Sequence, residues 1–265
     1  MLLSDVEYAK PSSVADAVKL LEGNEGARAL AGGQTLINVM KARAASPDKL
    51  VDLNGIAELK GIELGADGTL TIGPMTTYSE ILASAEAKAR PILGQVCAQI
   101  ADVQVRNRGT IGGNICANDP TNHLPPLLAA IGAQMTIAGG GGERVVSAEE
   151  FFLGVYMTAV GQGELLTAIT IPAGKGDGFA AVTLGVDGTC IANAAASVNG
   201  SLRIALGCVD ATPVLVHPDS VDSVRETVRA AGLNPPSDVH ASSEYRAHLA
   251  EVLAERAARQ AVEKG

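Results

Sequence analysis

Two pairs of adjacent glycines, each set in a short passage between regular elements, constrain this chain more than any other feature. The first lies in Leu30-Ala31-Gly32-Gly33-Gln34-Thr35 and the second, far along the chain, in Arg108-Gly109-Thr110-Ile111-Gly112-Gly113-Asn114. Paired glycines let a backbone turn sharply and bring its N–H groups close to an anion. The neighbouring hydroxyls and amides add side-chain donors, and a following helix adds its positive end. One such loop is weak evidence. Two in one chain suit a pyrophosphate, which has two faces to satisfy. The familiar nucleotide signatures are missing: there is no G-x-G-x-x-G after a strand and no G-x-x-x-x-G-K-[ST]. A Rossmann dinucleotide site and a P-loop are therefore excluded.

Composition narrows the partners. With no Trp, 3 Phe and 4 Tyr among 265 residues, the core must be aliphatic. The net charge of −9 argues against nucleic acid or an anionic membrane as the main partner, since both select basic surfaces. No run approaches the length of a transmembrane helix, and the start of the chain lacks a basic and then apolar leader, so the expected location is the cytoplasm. Cys97, Cys116, Cys190 and Cys208 form no C-x-x-C pair and no iron–sulfur or zinc spacing, so each reads as a small buried hydrophobe. His217, His240 and His248 read as solvent-facing. No metal site and no general acid or base stands out.

Periodicity predicts three successive units: residues 1–53, 54–172 and 173–265. In the first, Ser13 caps a helix that ends at Gly23, a short strand covers Ala27–Ala31, a helix covers Leu36–Arg43 and a strand Leu50–Leu53. In the second, Thr69–Gly73 is a strand, Thr77–Ala89 and Pro91–Ala101 are helices, and Val103–Pro126 reads as loop because of its glycines and asparagines. A helix over Leu124–Gly132 precedes a hairpin with a four-glycine tip and a strand over Glu164–Pro172. In the third, strands at Phe179–Leu184, Ile191–Val198 and Leu202–Cys208 carry an Asn199-Gly200 turn. Helices at Val221–Ala231 and Ser243–Glu263 close the chain.

The residues also carry a family resemblance. Ala31-Gly32-Gly33-Gln34-Thr35-Leu36 and then Arg106-Asn107-Arg108-Gly109-Thr110-Ile111-Gly112-Gly113-Asn114 resemble the two flavin loops of the FAD subunits of molybdenum hydroxylases, such as aerobic carbon monoxide dehydrogenase and xanthine dehydrogenase. The likeness continues through Asn118-Asp119-Pro120, Glu164–Pro172, Ala205–Pro213 and Ser242–Leu249. It implies an α+β, vanillyl-alcohol-oxidase-type (PCMH-type) FAD-binding fold, with two α/β subdomains and a C-terminal α/β domain. It implies that Gly32, Gly33, Gln34 and Thr35 hold the FAD pyrophosphate, with Gly109, Thr110, Gly113 and Asn114 on its other side. Leu30, Ala31 and Leu36 flank the first loop, and Ile100, Cys116, Leu165 and Leu166 supply further cofactor contacts.

Asp119 and His123 are also implied at the cofactor, although His123 stands where the family usually has an acidic residue. A second departure is the stretch Ala181–Asp187, which lacks the family's basic residues. Arg106 and Arg108 are expected in surface or interface ion pairs, and Gln104 and Asn107 in shaping the loop. The implied activity is electron transfer, from [2Fe–2S] clusters of a small subunit beside a large molybdopterin subunit to NAD or a quinone. A stand-alone flavin oxidase and a non-catalytic assembly module of the same fold are the alternatives.

Overall fold

Among the described residues there are four β-sheets, and the three larger ones, each covered by helices, divide the work of positioning the two glycine loops. The computed structural model describes residues 3–185 and 188–265. Met1 and Leu2, and Val186 and Asp187 of the stretch without basic residues, lie outside the described residues.

The first sheet is parallel. It is built from β1 (Glu7–Ala9), α1 (Val14–Glu22), β2 (Ala27–Leu30), α2 (Leu36–Lys41) and β3 (Lys49–Asp52), with β3 between β1 and β2. Parallel neighbours need crossover connections, and α1 and α2 supply them. Ser13 caps α1 by accepting from the Asp16 N–H, as expected, and the Gly23 N–H closes its far end on the Lys19 carbonyl. Ala17, Val18 and Leu21 of α1 pack with Ala27, Val51 and Leu53.

The second sheet is antiparallel, in the order β4-β5-β10-β6-β7. Its chain runs β4 (Ile62–Leu64), β5 (Leu70–Ile72), α3 (Tyr78–Ala83), α4 (Ile92–Cys97), α5 (Val103–Arg106), α6 (Ile111–Ala117), α7 (Leu124–Ala130), β6 (Gln134–Gly139), β7 (Gly142–Ser147), α8 (Ala148–Phe151), β8 (Phe152–Gly154), β9 (Met157–Thr158) and β10 (Leu165–Ile171). Two expectations are corrected. The single helix over Thr77–Ala89 is broken, because Ser84 turns extended (ψ 137°) and its hydroxyl accepts from the Ala87 N–H to start a separate 3-10 turn. The stretch Val103–Pro126, expected as loop, holds α5, α6 and the start of α7. Helix α6 carries Gly112 and Gly113 in its first turn, where their poor helix propensity is outweighed by close packing against Pro74 and Ala31.

The third sheet is antiparallel and runs β11 (Gly176–Thr183), β12 (Cys190–Asn199), β13 (Ser201–Gly207) and β14 (Val214–Val216). Gly200 takes φ +78° in the expected Asn199-Gly200 turn. Helices α9 (Val224–Ala230) and α10 (Ser243–Lys264) cover one face. Ala250, Ala254, Ala257, Ala258 and Ala261 let α10 lie close on the sheet. At Gly178 a Cβ would stand 2.0 Å from the Ala257 carbonyl oxygen, so only glycine fits there.

The second and third sheets share a core, since Phe179, Ala195 and Ala205 pack with Leu93, Leu127 and Ile171. A buried ion pair crosses the same junction. Arg90, just before α4, points its Nε and one terminal nitrogen at the two Asp177 oxygens, both at 2.8 Å, and also donates to Ser197 and the Pro172 carbonyl. Both side chains are 3% exposed. Removing one partner of such a pair leaves a buried charge uncompensated and costs about 3–5 kcal/mol. Asp177→Ala should lower unfolding stability by that amount in urea titration, whereas Asp67→Ala on an exposed turn should change it little.

Candidate functional site

The first loop offers unused N–H groups. Gly33 has φ +74°, in the left-handed region that disfavours a side chain. Its carbonyl accepts from the Ile37 N–H at 3.2 Å, which turns the chain into α2. Among the described residues, no protein acceptor takes the N–H groups of Gly32, Gly33, Gln34 or Thr35. Thr35 leads into α2 without a side-chain cap. Successive unpaired amides of this kind form an anion-binding concavity.

A polar chain holds that loop from below. Asn54 donates its side-chain N–H to the Ala31 carbonyl (3.2 Å), and Asp52 accepts from both amides of Asn54 (2.9 and 2.7 Å). The Tyr8 hydroxyl donates to the other Asp52 oxygen at 2.5 Å. Burial of Asp52 works against ionisation, but the Tyr8 and Asn54 donors outweigh it and hold the carboxyl below its ordinary value. These three residues were not expected at the site. An Asn two residues after an Asp at a strand end was the available signal.

The second loop is built differently. Thr110, 3% exposed, caps α6 by accepting from the Gly113 N–H at 3.0 Å. The Ile111 N–H donates to the Thr76 carbonyl, the Gly112 N–H to Pro74 and the Asn114 N–H to Thr110. The amides at 111–114 are therefore taken, and the second loop contributes closeness rather than a second row of N–H donors. Asn114 differs, because its Oδ1 is buried and has no partner. Tyr78 beneath this loop is buried, and that burial raises its pKa.

The two loops touch backbone to backbone. A Cβ on Gly32 would fall 2.1 Å from the Arg108 carbonyl oxygen and 2.9 Å from the Gly109 Cα. A Cβ on Gly113 would lie 2.9 Å from Thr110 Oγ1 and 3.4 Å from the Ala31 Cβ. Gly109 and Gly112 abut Tyr78 and Pro74 in the same way. Leu30 to Gln34 and Leu36 are half-buried, as are Gly113, Asn114 and Cys116 on one side of α6, so this junction is also a surface groove.

The remaining expected residues are less uniform. Ile100 is half-buried on the main core, while Leu165 and Leu166 are both 4% exposed and belong to two different cores. Burial pushes the Cys116 thiol up to about 12. Asp119 turns its own loop by accepting from Thr121 (2.9 and 2.7 Å) and also accepts from the Tyr156 hydroxyl. Asn118, at φ +43°, clips the β8–β9 hairpin through the Gly154 and Met157 carbonyls. His123 is 6% exposed and lies edge-on to Phe179 (5.3 Å) and beside Asn193. The Arg106 guanidinium binds the Ile100 and Ala101 carbonyls, closing the turn after α4. Neither it nor Arg108 forms an ion pair among the described residues. Asn107 accepts from Ser79 at 2.6 Å, in keeping with a loop-shaping role. A concavity of about 440 Å³, lined by Ser4, Met40, Arg43 and Asp48 among others, lies apart from this groove.

Residues 4–174 match the family model described as the FAD binding domain in molybdopterin dehydrogenase. The carbon monoxide dehydrogenase medium chain of Afipia carboxidovorans is 37% identical, over 98% of each chain. The glyceraldehyde dehydrogenase medium chain of Sulfolobus acidocaldarius is 32% identical over 96% of this chain and 97% of that one. Among solved structures, a carbon monoxide dehydrogenase chain from Hydrogenophaga pseudoflava superposes with a TM-score of 0.92 at 34% identity, over 99% of both chains.

Two outcomes follow from the loop contact and its support. Gly32→Ala should separate the loops and cost about 1–3 kcal/mol of stability in urea titration, the usual penalty of overpacking, whereas Gly141→Ala, with open space around it, should not. Asp52 titrates below its unfolded value of about 3.9, so its stabilisation is full above that pH and disappears as pH falls through the lower folded value. The stability gap between wild type and Asp52→Asn should be constant near neutrality and shrink below about pH 4.

Proposed function

Because the chain belongs to the family of FAD-binding domains of molybdopterin dehydrogenases, we propose that it is the electron-transfer subunit of a multi-subunit molybdenum hydroxylase. The observation that carries this reading is the row of unpaired amides at Gly32–Thr35, pressed against the second glycine loop. A pyrophosphate would receive the N–H groups of Gly32, Gly33, Gln34 and Thr35. Gly109 and Gly113 would keep the opposite wall close enough for contact. The orphaned Oδ1 of Asn114 is an acceptor, so it suits a hydroxyl of FAD rather than a phosphate oxygen. The groups present thus fit the cofactor on both sides.

The protein's part is binding, orientation and insulation. Leu30, Ala31 and Leu36 would flank the cofactor as half-exposed apolar walls, while Leu165 and Leu166 would support the groove from within the cores. Ile100 and Cys116 would extend the apolar lining along the half-buried side of α6, and Asp119 would hold the loop beyond it. His123 would act through the packing between that loop and β11–β12. Thr110 would secure the second loop through its cap. We assign no general acid or base, since no proton transfer at carbon is asked of this subunit.

Bound FAD would supply the step between one-electron donors and a two-electron acceptor. The donors would be [2Fe–2S] clusters of a small partner subunit, fed by a large molybdopterin subunit that oxidises the substrate. The acceptor would be NAD or a quinone. Among the described residues no three His, Cys, Asp or Glu side chains converge on a metal position. No helix of the described residues is long and apolar enough to cross a membrane; the cytoplasm is our proposed location. The units 1–53, 54–172 and 173–265 would serve as two cradle subdomains and a closing domain.

The purified chain should be yellow and release its flavin into the supernatant on acid precipitation. A colourless chain that takes up no added FAD would defeat the proposal in favour of an assembly module, and flavin held in the pellet would indicate a covalent oxidase. Asn114→Ala should weaken FAD binding about fivefold or more, the worth of one buried hydrogen bond of about 1–3 kcal/mol, read by fluorescence titration with circular dichroism as the check on folding.

A further inference from the structure

Four polar side chains converge where the third sheet meets the loop after α6. Cys190 opens β12 and Cys208 follows β13; they are 2% and 5% exposed, and both are free thiols. Asn193, fully buried, points Nδ2 at both sulfurs, 3.4 Å from each. The same nitrogen lies 3.3 Å from the Asn122 carbonyl and 3.3 Å from His123 Nδ1. An amide has two hydrogens, so four neighbours compete for two, and the most negative one prevails. The Oδ1 of that amide is buried without a partner. Cys208 is held at φ +65°, where a non-glycine residue is strained.

We propose that Cys190 and Cys208 are an oxidisable dithiol, closed to an intramolecular disulfide by hydrogen peroxide. Cys190 as thiolate attacks one peroxide oxygen. The O–O bond breaks, hydroxide leaves and takes up a proton as water, and Cys190 becomes a sulfenic acid. The Cys208 sulfur then attacks Cys190. The S–S bond forms, and the sulfenic oxygen departs with the Cys208 proton as a second water. The two thiols lose two electrons and two protons in all, and the peroxide gains them.

The surroundings assign the two roles. The hydrogen bond from Cys208 draws the Cys190 thiol below its ordinary value despite burial, and His123 and Asn193 act in the same direction. Cys208 moves the opposite way, through that same hydrogen bond and burial, and stays protonated. One thiolate beside one thiol is the arrangement of an attacking and a resolving cysteine. Cys97 and Cys116 provide the contrast: burial alone pushes each up to about 12. Gly188 and Thr189, directly before Cys190, are exposed, so the route for a small oxidant is short. The dithiol chemistry stands whether or not flavin is bound.

The test treats the whole purified chain with graded hydrogen peroxide, alkylates it under denaturing conditions and maps it by mass spectrometry. Free thiols should fall from the four of the reduced chain to two. One linked peptide pair should contain Cys190 and Cys208, and dithiothreitol should undo it. In Cys208→Ser, Cys190 should stop at a sulfenic acid that dimedone captures; if that variant does not fold, the wild-type map decides alone. Oxidation of Cys97 or Cys116 ahead of the pair, retention of both thiols, or over-oxidation of Cys190 without a link would each overturn the assignment.

Discussion

The approach of Gly32 to the carbonyl of Arg108 is the contact on which the rest of the site depends. Two segments distant in sequence meet there with no side chain between them. Any Cβ at Gly32 would displace backbone, not a flexible side chain, so the contact cannot be relaxed cheaply. Everything else near the groove serves it. Pro74 and Tyr78 hold the second loop through backbone hydrogen bonds to Gly112 and Gly109, and Asn54 and Asp52 hold the first.

The two loops look alike in sequence and differ in chemistry. The first keeps its amides free because Gly33 takes a left-handed turn and α2 begins without a side-chain cap. The second closes its amides on Thr110, Thr76 and Pro74 because it enters a capped helix lodged in the core. One loop is thus a donor surface and the other a close wall. A dianionic group between them would be recognised from the first loop alone, while the buried Asn114 Oδ1 on the other side is an acceptor that suits a hydroxyl.

The third sheet brings a separate chemistry to the edge of this site. Asn122 donates to the Asn114 carbonyl at 3.2 Å, and its own carbonyl faces Asn193, which also faces both sulfurs of the Cys190–Cys208 pair. His123 belongs to this cluster by packing and hydrogen bonding. The loop between α6 and α7 therefore has the glycine groove on one side and a dithiol on the other.

Local signals were enough for α1 with its Ser13 cap, for the strand–glycine–helix passage at residues 27–41, and for the Asn199-Gly200 turn, because each depends on near neighbours and backbone preference. Paired glycines and their flanks likewise marked the two segments that the fold brings into contact. Pattern alone did not reveal α6, since glycines weaken a helix in isolation and only Pro74 and Ala31 make their smallness stabilising. Nor did it show that the amides of 111–114 are taken, that Arg106 closes a turn on carbonyls, or that Cys190 and Cys208 are neighbours. Those facts are set by which distant segments pack together, and long-range packing leaves no periodic trace along a chain. The sequence by itself determined that two glycine loops had to exist; the tertiary structure decided which of them keeps its hydrogens free.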